Sequence, residues 1–211
     1  TLLACAADLD LLDVVVLVDA ALHLGSCSVA ELEEVAGRRR RGAPRLRQAL
    51  SHVDGRSESA WETLLRVLHS VCGVPVEPQF VLEDEHGSFV ARADLRILGT
   101  TTIHEYDGGE HRKKARHRKD LARERRIGNV VWTRRGYTDV EVLHQAVAIL
   151  RDADRSLGRP HRPERIRPWH ALLARSLFSP SGTELLRRRW GLPSAETGQR
   201  LHRSGPDACS S

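Results

Sequence analysis

The chain has 211 residues, 40% of them apolar and 29% charged, which suffices for a core under a solvated surface. Its four cysteines (Cys5, Cys27, Cys72, Cys209) have neither the spacing of a zinc site nor that of a disulfide framework, so reduced thiols in the cytoplasm are expected. The net charge of +5 is unevenly placed: His111 to Arg126 carries +7, leaving −2 for the rest. That concentration suits a phosphate-facing surface, with a solvated basic helix as the plainer alternative.

The chain opens on Thr1 rather than on methionine. Leu9 to Leu24 is apolar, but Asp10, Asp13, Asp19 and His23 make it too polar for hydrocarbon. A buried helix or helix pair is expected, with no signal peptide and no membrane partner. Ser28 and Glu31 have capping-box spacing and open a second helix. A third short helix spans Arg45 to Val53, and His52 to Arg56 forms a boundary. Residues 1–55 therefore read as a helical segment ending at that boundary.

From Ser59 to Cys72 the apolar residues Trp61, Leu64, Leu65, Leu68 and Val71 recur at helical spacing, and Gly73 and Pro75 close the helix. Three strands follow, Val76 to Leu82, Ser88 to Ile97 and Thr101 to Tyr106, with Glu83 to Gly87 as a polar hairpin turn. A basic helix from about Glu110 to Arg126 leads to a short strand, Asn129 to Thr133. Thr138 and Glu141 then open one more helix, with Val140, Leu143, Val147 and Leu150 on one face. A strand that returns after a crossover helix implies a mixed sheet with helices packed on it. Beyond Gly158, prolines interrupt the chain, two short helices are expected at Trp169 to Leu177 and Thr183 to Trp190, and the end is polar.

The chemistry gathers around the second and third strands. Glu105 and Asp107 are two apart at the end of one strand and project together, and Asp94 lies opposite or diagonal to them if the strands form a hairpin. Three converging carboxylates call for a cation, and hard oxygen ligands suit Mg²⁺ or Mn²⁺. Such an ion polarises a phosphodiester and activates water. Taken singly, Asp94 is an ordinary strand-end residue and Asp107 a turn former before Gly108-Gly109. Glu62 either caps its helix at Ser59 or reaches the same acids. His111 and His117 could bind phosphate or move a proton, Lys113 and Lys114 could neutralise it, and Trp132 reads as core.

The run Asp94-Leu95, Glu105-Tyr106-Asp107-Gly108, His111, Arg118-Lys119-Asp120 and Arg123 resembles the very-short-patch-repair-like endonuclease domains of the PD-(D/E)XK nuclease superfamily. The stretch Asp54 to Ser59 with Glu62 and Leu64-Leu65-Arg66 looks like the same group. In actinobacteria such domains often follow a winged helix in AbiEi-type antitoxins or endonuclease-domain proteins. The resemblance implies an α/β (α+β) fold with a restriction-endonuclease-like α-β-β-β-α-β core and a mixed sheet, preceded by a small helical segment. It makes residues 1–55 a helical linker segment, the remnant of a longer N-terminal region, followed by a nuclease-like domain at residues 56–157 and a helical or irregular C-terminal tail at 158–211. Asp94 and Glu105 become metal ligands and Glu62 the first-helix acid. Where the superfamily signature has a lysine, this chain has Asp107, and the link Arg126-Ile127-Gly128-Asn129 is short.

The expected activity is a Mg²⁺-dependent (or Mn²⁺-dependent) endonuclease cutting DNA. Its catalytic set is Glu62, Asp94, Glu105, Asp107 and His111, with Asp94, Glu105 and Asp107 on the metal. Arg112, Lys113, Lys114, Arg116, Arg118, Lys119 and Arg123 would hold nucleic acid. The alternative is an inactive nuclease fold acting as a nucleic-acid-binding, antitoxin or regulatory protein, with a toxin or other protein as partner.

Overall fold

Local capping signals delimit most of the helices in the computed structural model, which describes residues 1–84, 86–108 and 132–193. The apolar N-terminal stretch is a helix pair, α1 (Leu2–Asp8) and α2 (Leu11–His23), divided where Leu9 and Asp10 adopt extended backbone. Ser28 and Glu31 form the expected capping box at the start of α3 (Val29–Gly37). Gly42 begins α4 (Ala43–Leu50) at φ 90°, and a Cβ there would lie 2.2 Å from the Leu3 carbonyl oxygen, so only glycine fits. Ser59 caps α5 (Ala60–Val71), and Gly73 at φ 67° closes it.

Three antiparallel strands follow: β1 (Val76–Glu83), β2 (Phe89–Ile97) and β3 (Thr102–Tyr106). The β1–β2 turn is held by Asp84, whose carboxylate accepts the backbone N–H groups of His86 and Ser88. The next described strand is β4 (Thr133–Tyr137), parallel to β3. The sheet order is β1-β2-β3-β4, so the fold is mixed α/β with a four-stranded mixed sheet.

The last strand departs from expectation. Asn129 to Thr133 is the expected span; the described ladder runs from Thr133 to Tyr137, and residues 129–131 lie outside the described region. Arg134-Arg135-Gly136 has little strand propensity, yet the ladder to β3 carries the strand through it. The helix opened by Thr138 is also two helices, α6 (Asp139–His144) and α7 (Ala146–Ser156). They are separated at Gln145, whose φ of −127° and ψ of 24° leave the helical region. A 3₁₀ turn (Pro163–Ile166), α8 (Arg167–Leu173) and α9 (Pro180–Arg189) complete the described chain. The expected basic helix lies outside the described residues.

One large apolar cluster joins Leu12, Val15 and Val18 of α2, Leu64, Leu65 and Leu68 of α5, Leu95 and Ile97 of β2, Ile149 and Leu150 of α7, and Trp169 of α8. It draws on all three segments distinguished in the sequence. Buried acids tie them further. Asp19 accepts from Thr63 Oγ1 (2.8 Å), Arg66 Nη2 (2.6 Å) and the backbone N–H of Asp54 (2.7 Å). Asp13 accepts from Ser176 Oγ at 2.6 Å, and Asp154 gathers Arg159, His161 and Arg165. Among the described residues no helix is long and apolar enough to cross a membrane. Cys5, Cys27 and Cys72 are free thiols.

Candidate active site

Alternation along the strands sorts the side chains of the sheet. His104 hydrogen-bonds to His69 of α5, so its neighbours Ile103 and Glu105 point to the opposite face. Leu95 belongs to the main core, whereas Ala93 packs with Ile103 in a second cluster, so strict alternation breaks at Asp94. The β2–β3 ladder ends at the Leu95–His104 pair, and Asp94 and Glu105 are the next residues along the two strands. Beside this position Asp94 Oδ2 accepts the backbone N–H of Tyr106 at 2.8 Å, so a side chain takes the place of a ladder carbonyl. Asp94 thereby lies against the end of β3.

Glu105 is 3% exposed and forms an ion pair with the Nε of Arg134 on β4. The same guanidinium donates through Nη2 to Asp107 Oδ1 at 2.7 Å. Burial works against the charged guanidinium, but Glu105 and then Asp107 outweigh it and raise its pKa above the ordinary value. Asp107 also lies against Gly136: a Cβ there would be 1.7 Å from Asp107 Oδ2. A glycine within a strand marks such a close approach.

Glu62 sits in the first turn of α5. Ser59 Oγ donates to its Oε1 at 2.9 Å, and the Glu58 N–H donates to its Oε2 at 2.8 Å, so the capping role is real. Gln79 Nε2 also donates to Oε2, at 2.8 Å. Since Pro78 pairs with Leu95 and Phe80 with Ala93, Gln79 stands opposite Asp94. Glu62 is thus bonded to Gln79 of β1, Asp94 of β2 to the backbone of β3, and Glu105 of β3 to Arg134 of β4. Trp61 stacks on Tyr106 with ring centroids 5.3 Å apart and 8° between planes, fixing the start of α5 to the end of β3.

Of the residues singled out in the sequence, Glu62, Asp94, Glu105 and Asp107 are brought into these contacts. His111, Arg112, Lys113, Lys114, Arg116, Arg118, Lys119 and Arg123 lie outside the described residues, as does His117. Trp132 packs on a small cluster of Leu82, Ala91, Ala93 and Ile103, in keeping with a core role. Among the described residues no group of three or more His, Cys, Asp or Glu side chains is arranged to hold a metal ion. Asp94 and Glu105 are two carboxylates with hard oxygen donors on adjacent strands. That set fits Mg²⁺, which is commonly held by one or two carboxylates and completes its shell with water.

Sequence reasoning missed Gln79, Arg134 and Gly136. The glycine of Arg134-Arg135-Gly136 was the available signal, hidden by the misplaced strand. It also missed a buried chain behind the site. His69 Nδ1 lies 2.7 Å from the Leu65 carbonyl, which can only accept, so this nitrogen carries the proton. His69 Nε2 then accepts from His104 Nδ1 at 2.9 Å. The Tyr137 hydroxyl lies 3.4 Å from His104 Nε2 and 3.3 Å from Asp152 Oδ2, one proton between two acceptors. Burial pushes His69 down to about 4, against the Leu65 hydrogen bond, and holds His104 well below its ordinary value, helped by His69 and Arg135. Burial and then Asp152 raise the Tyr137 pKa.

Comparisons with protein-family models, curated proteins and solved structures gave no match for this chain.

Proposed function

We propose that the chain is a divalent-metal-dependent endonuclease with a restriction-endonuclease-like core, acting on DNA phosphodiesters in the cytoplasm. The observation that carries this reading is the bond from Asp94 of β2 to the Tyr106 N–H, beside the buried Glu105 of β3, with a third acid, Glu62, bonded to Gln79 of β1. The element order also supports it: a helix, three antiparallel strands, and a fourth strand parallel to the third. The +7 segment from His111 to Arg126 follows β3 directly in the sequence and has the charge to neutralise backbone phosphates.

Asp94 and Glu105 would hold Mg²⁺ or Mn²⁺, which when bound supplies Lewis acidity toward the phosphoryl oxygen and an activated water. Gln79 and Ser59 orient Glu62, and Trp61 against Tyr106 keeps α5 in register with β3. Arg134 fixes Glu105 and Asp107 on the β4 side. Nicking of supercoiled plasmid tests the reading. Mg²⁺-dependent open circles are expected, lost on chelation and reduced about 100-fold or more in Asp94→Asn and Glu105→Gln. Cutting that persists in the double variant rules out the site.

One observation favours a second reading, a nuclease fold that binds nucleic acid without cutting and serves as an antitoxin or regulator. Arg134 already forms ion pairs with both Glu105 and Asp107. That protein would bind DNA with a steep salt dependence that chelation leaves unchanged.

A further inference from the structure

Arg96, on β2, is held by ring faces and not by hydrogen bonds. Its guanidinium carbon lies 4.6 Å from the centre of the Phe80 ring and 5.4 Å from that of Trp132, and the two rings meet at 5.2 Å with 44° between their planes. Among the described residues none of its nitrogens has a hydrogen-bond partner, and Nε is buried without one. The nearest counter-charge, Glu77 Oε2, stands 3.7 Å from Nη1, beyond hydrogen-bond reach, and also interacts with Arg56. The Arg96 side chain is 30% exposed. A guanidinium stacked in this way is fixed in its plane while its outer N–H donors stay open, an arrangement suited to reading phosphate.

Arg96 also lines a cleft of about 480 Å³ beside the β2–β3 turn, together with Gly99, Thr100, Thr101, Thr102 and Ser156. The turn is firmly built: Gly99 has φ 79°, and Thr100 Oγ1 donates to the Ile97 carbonyl at 2.9 Å and accepts the Thr102 N–H at 3.0 Å. The hydroxyls of Thr101 and Thr102 make no hydrogen bond among the described residues, so two neutral donors stand beside the charged one. Among the described residues no carboxylate lines the cleft. Helix α7 ends there at Ser156, but the carbonyls of Asp152, Ala153, Asp154 and Arg155 are each taken by a donor, which blunts the negative end of the helix. The Asp152 side chain, a turn earlier, is engaged by Tyr137 and Arg155.

We propose that this cleft binds a phosphate group, with the Arg96 fork on two of its oxygens and the Thr101 and Thr102 hydroxyls on a third. Phosphate offers an oxygen to each of these donors, and a carboxylate does not. The group belongs to a nucleic-acid backbone or to a small phosphate ester. The cleft lies at the start of β3 and the candidate acids at its end, four residues or about 13 Å away, so the site needs no metal.

The test is binding to the full chain in the presence of chelator, with two probes. Inorganic phosphate is followed by calorimetry, and a short DNA duplex without terminal phosphates by fluorescence anisotropy over a range of salt. Arg96→Gln should weaken binding about tenfold, the worth of a charged hydrogen bond, and Thr101→Val about threefold with no change of charge. Loss of duplex affinity, with a salt slope smaller by about one in Arg96→Gln, assigns a backbone phosphate. Loss of inorganic phosphate binding alone assigns a small phosphate ester. Arg96→Lys keeps the charge without the fork, should lose most of the affinity, and stands in if the Gln variant does not fold. A loss in Arg96→Gln that Arg96→Lys restores in full and Thr101→Val does not share is one of net charge, and it overturns the site. So does wild-type affinity for both probes in the folded variants, or binding of neither probe by the wild type.

Discussion

Gln79 reaches Glu62 from a left-handed backbone: at φ 54°, inside β1, its side-chain amide donates to Glu62 Oε2 at 2.8 Å. A non-glycine residue in this region costs about 1–2 kcal/mol, and such strain gathers where a side chain must be aimed. Glycine relieves the strain but loses chain entropy and one hydrogen bond, so Gln79→Gly should leave urea stability within about 1 kcal/mol of wild type. The β-branched Gln79→Val should lose about 2 kcal/mol or more. Equal midpoints for the two variants would mean that the backbone at this position is not constrained.

Asp19 and Arg66 are both buried, at 1% and 7% side-chain exposure, and they join α2 to α5 beneath the candidate site. Arg66 also donates to the His52 carbonyl at 2.7 Å, so it belongs to one network rather than to a simple pair. Asp19→Ala leaves a buried guanidinium without its counter-charge, and the expected loss is about 3–5 kcal/mol in denaturant unfolding. The double change Asp19→Leu with Arg66→Met should recover much of it, since an apolar pair needs no compensation. A loss under about 1 kcal/mol in Asp19→Ala would show that water reaches Arg66 in the variant.

The sheet was legible because its signals are local. Hairpin turns, alternation and the α5 periodicity lie within a few residues of one another, and they fixed three strands. The site was legible only as far as its acids. Arg134 comes from a strand 27 residues beyond Asp107 in sequence, and only the parallel ladder of β4 on β3 brings the two together. Gln79 escaped notice because nothing in Val76 to Leu82 announces a positive φ. The His69–His104 contact joins a helix to a strand, and neither histidine stands out among eleven.

That histidine pair sets a pH dependence whose sign can be worked out. His69 falls from 6.5 to about 4 on folding, and His104 is also held well below 6.5. The unfolded chain therefore binds protons that the folded chain refuses. Stability should be complete above 6.5 and fall as pH drops toward 4, with His52, also held down by burial, adding to the slope of the pair. Urea midpoints between about pH 7 and pH 5 measure it. His69→Gln should flatten the slope by roughly one proton. A flat wild-type profile across this window would show that the pair accepts a proton without strain.

Gly136 offers the sharpest test of how Asp107 is held. A methyl group at this position would meet Asp107 Oδ2 at 1.7 Å and Cγ at 2.7 Å, a separation no real contact tolerates. The Asp107 side chain is half exposed, so it can swing outward, at the cost of its bond to Arg134. Gly136→Ala should therefore fold with a loss of no more than about 1 kcal/mol, the worth of one exposed ion pair. The effect on plasmid nicking should match that of Asp107→Asn, because both changes separate this carboxylate from Arg134. The double variant should be no worse than either single change, the non-additivity expected of two changes that remove one interaction. Additive losses would mean that Gly136 serves the site by another route, through the backbone of β4 beside Glu105.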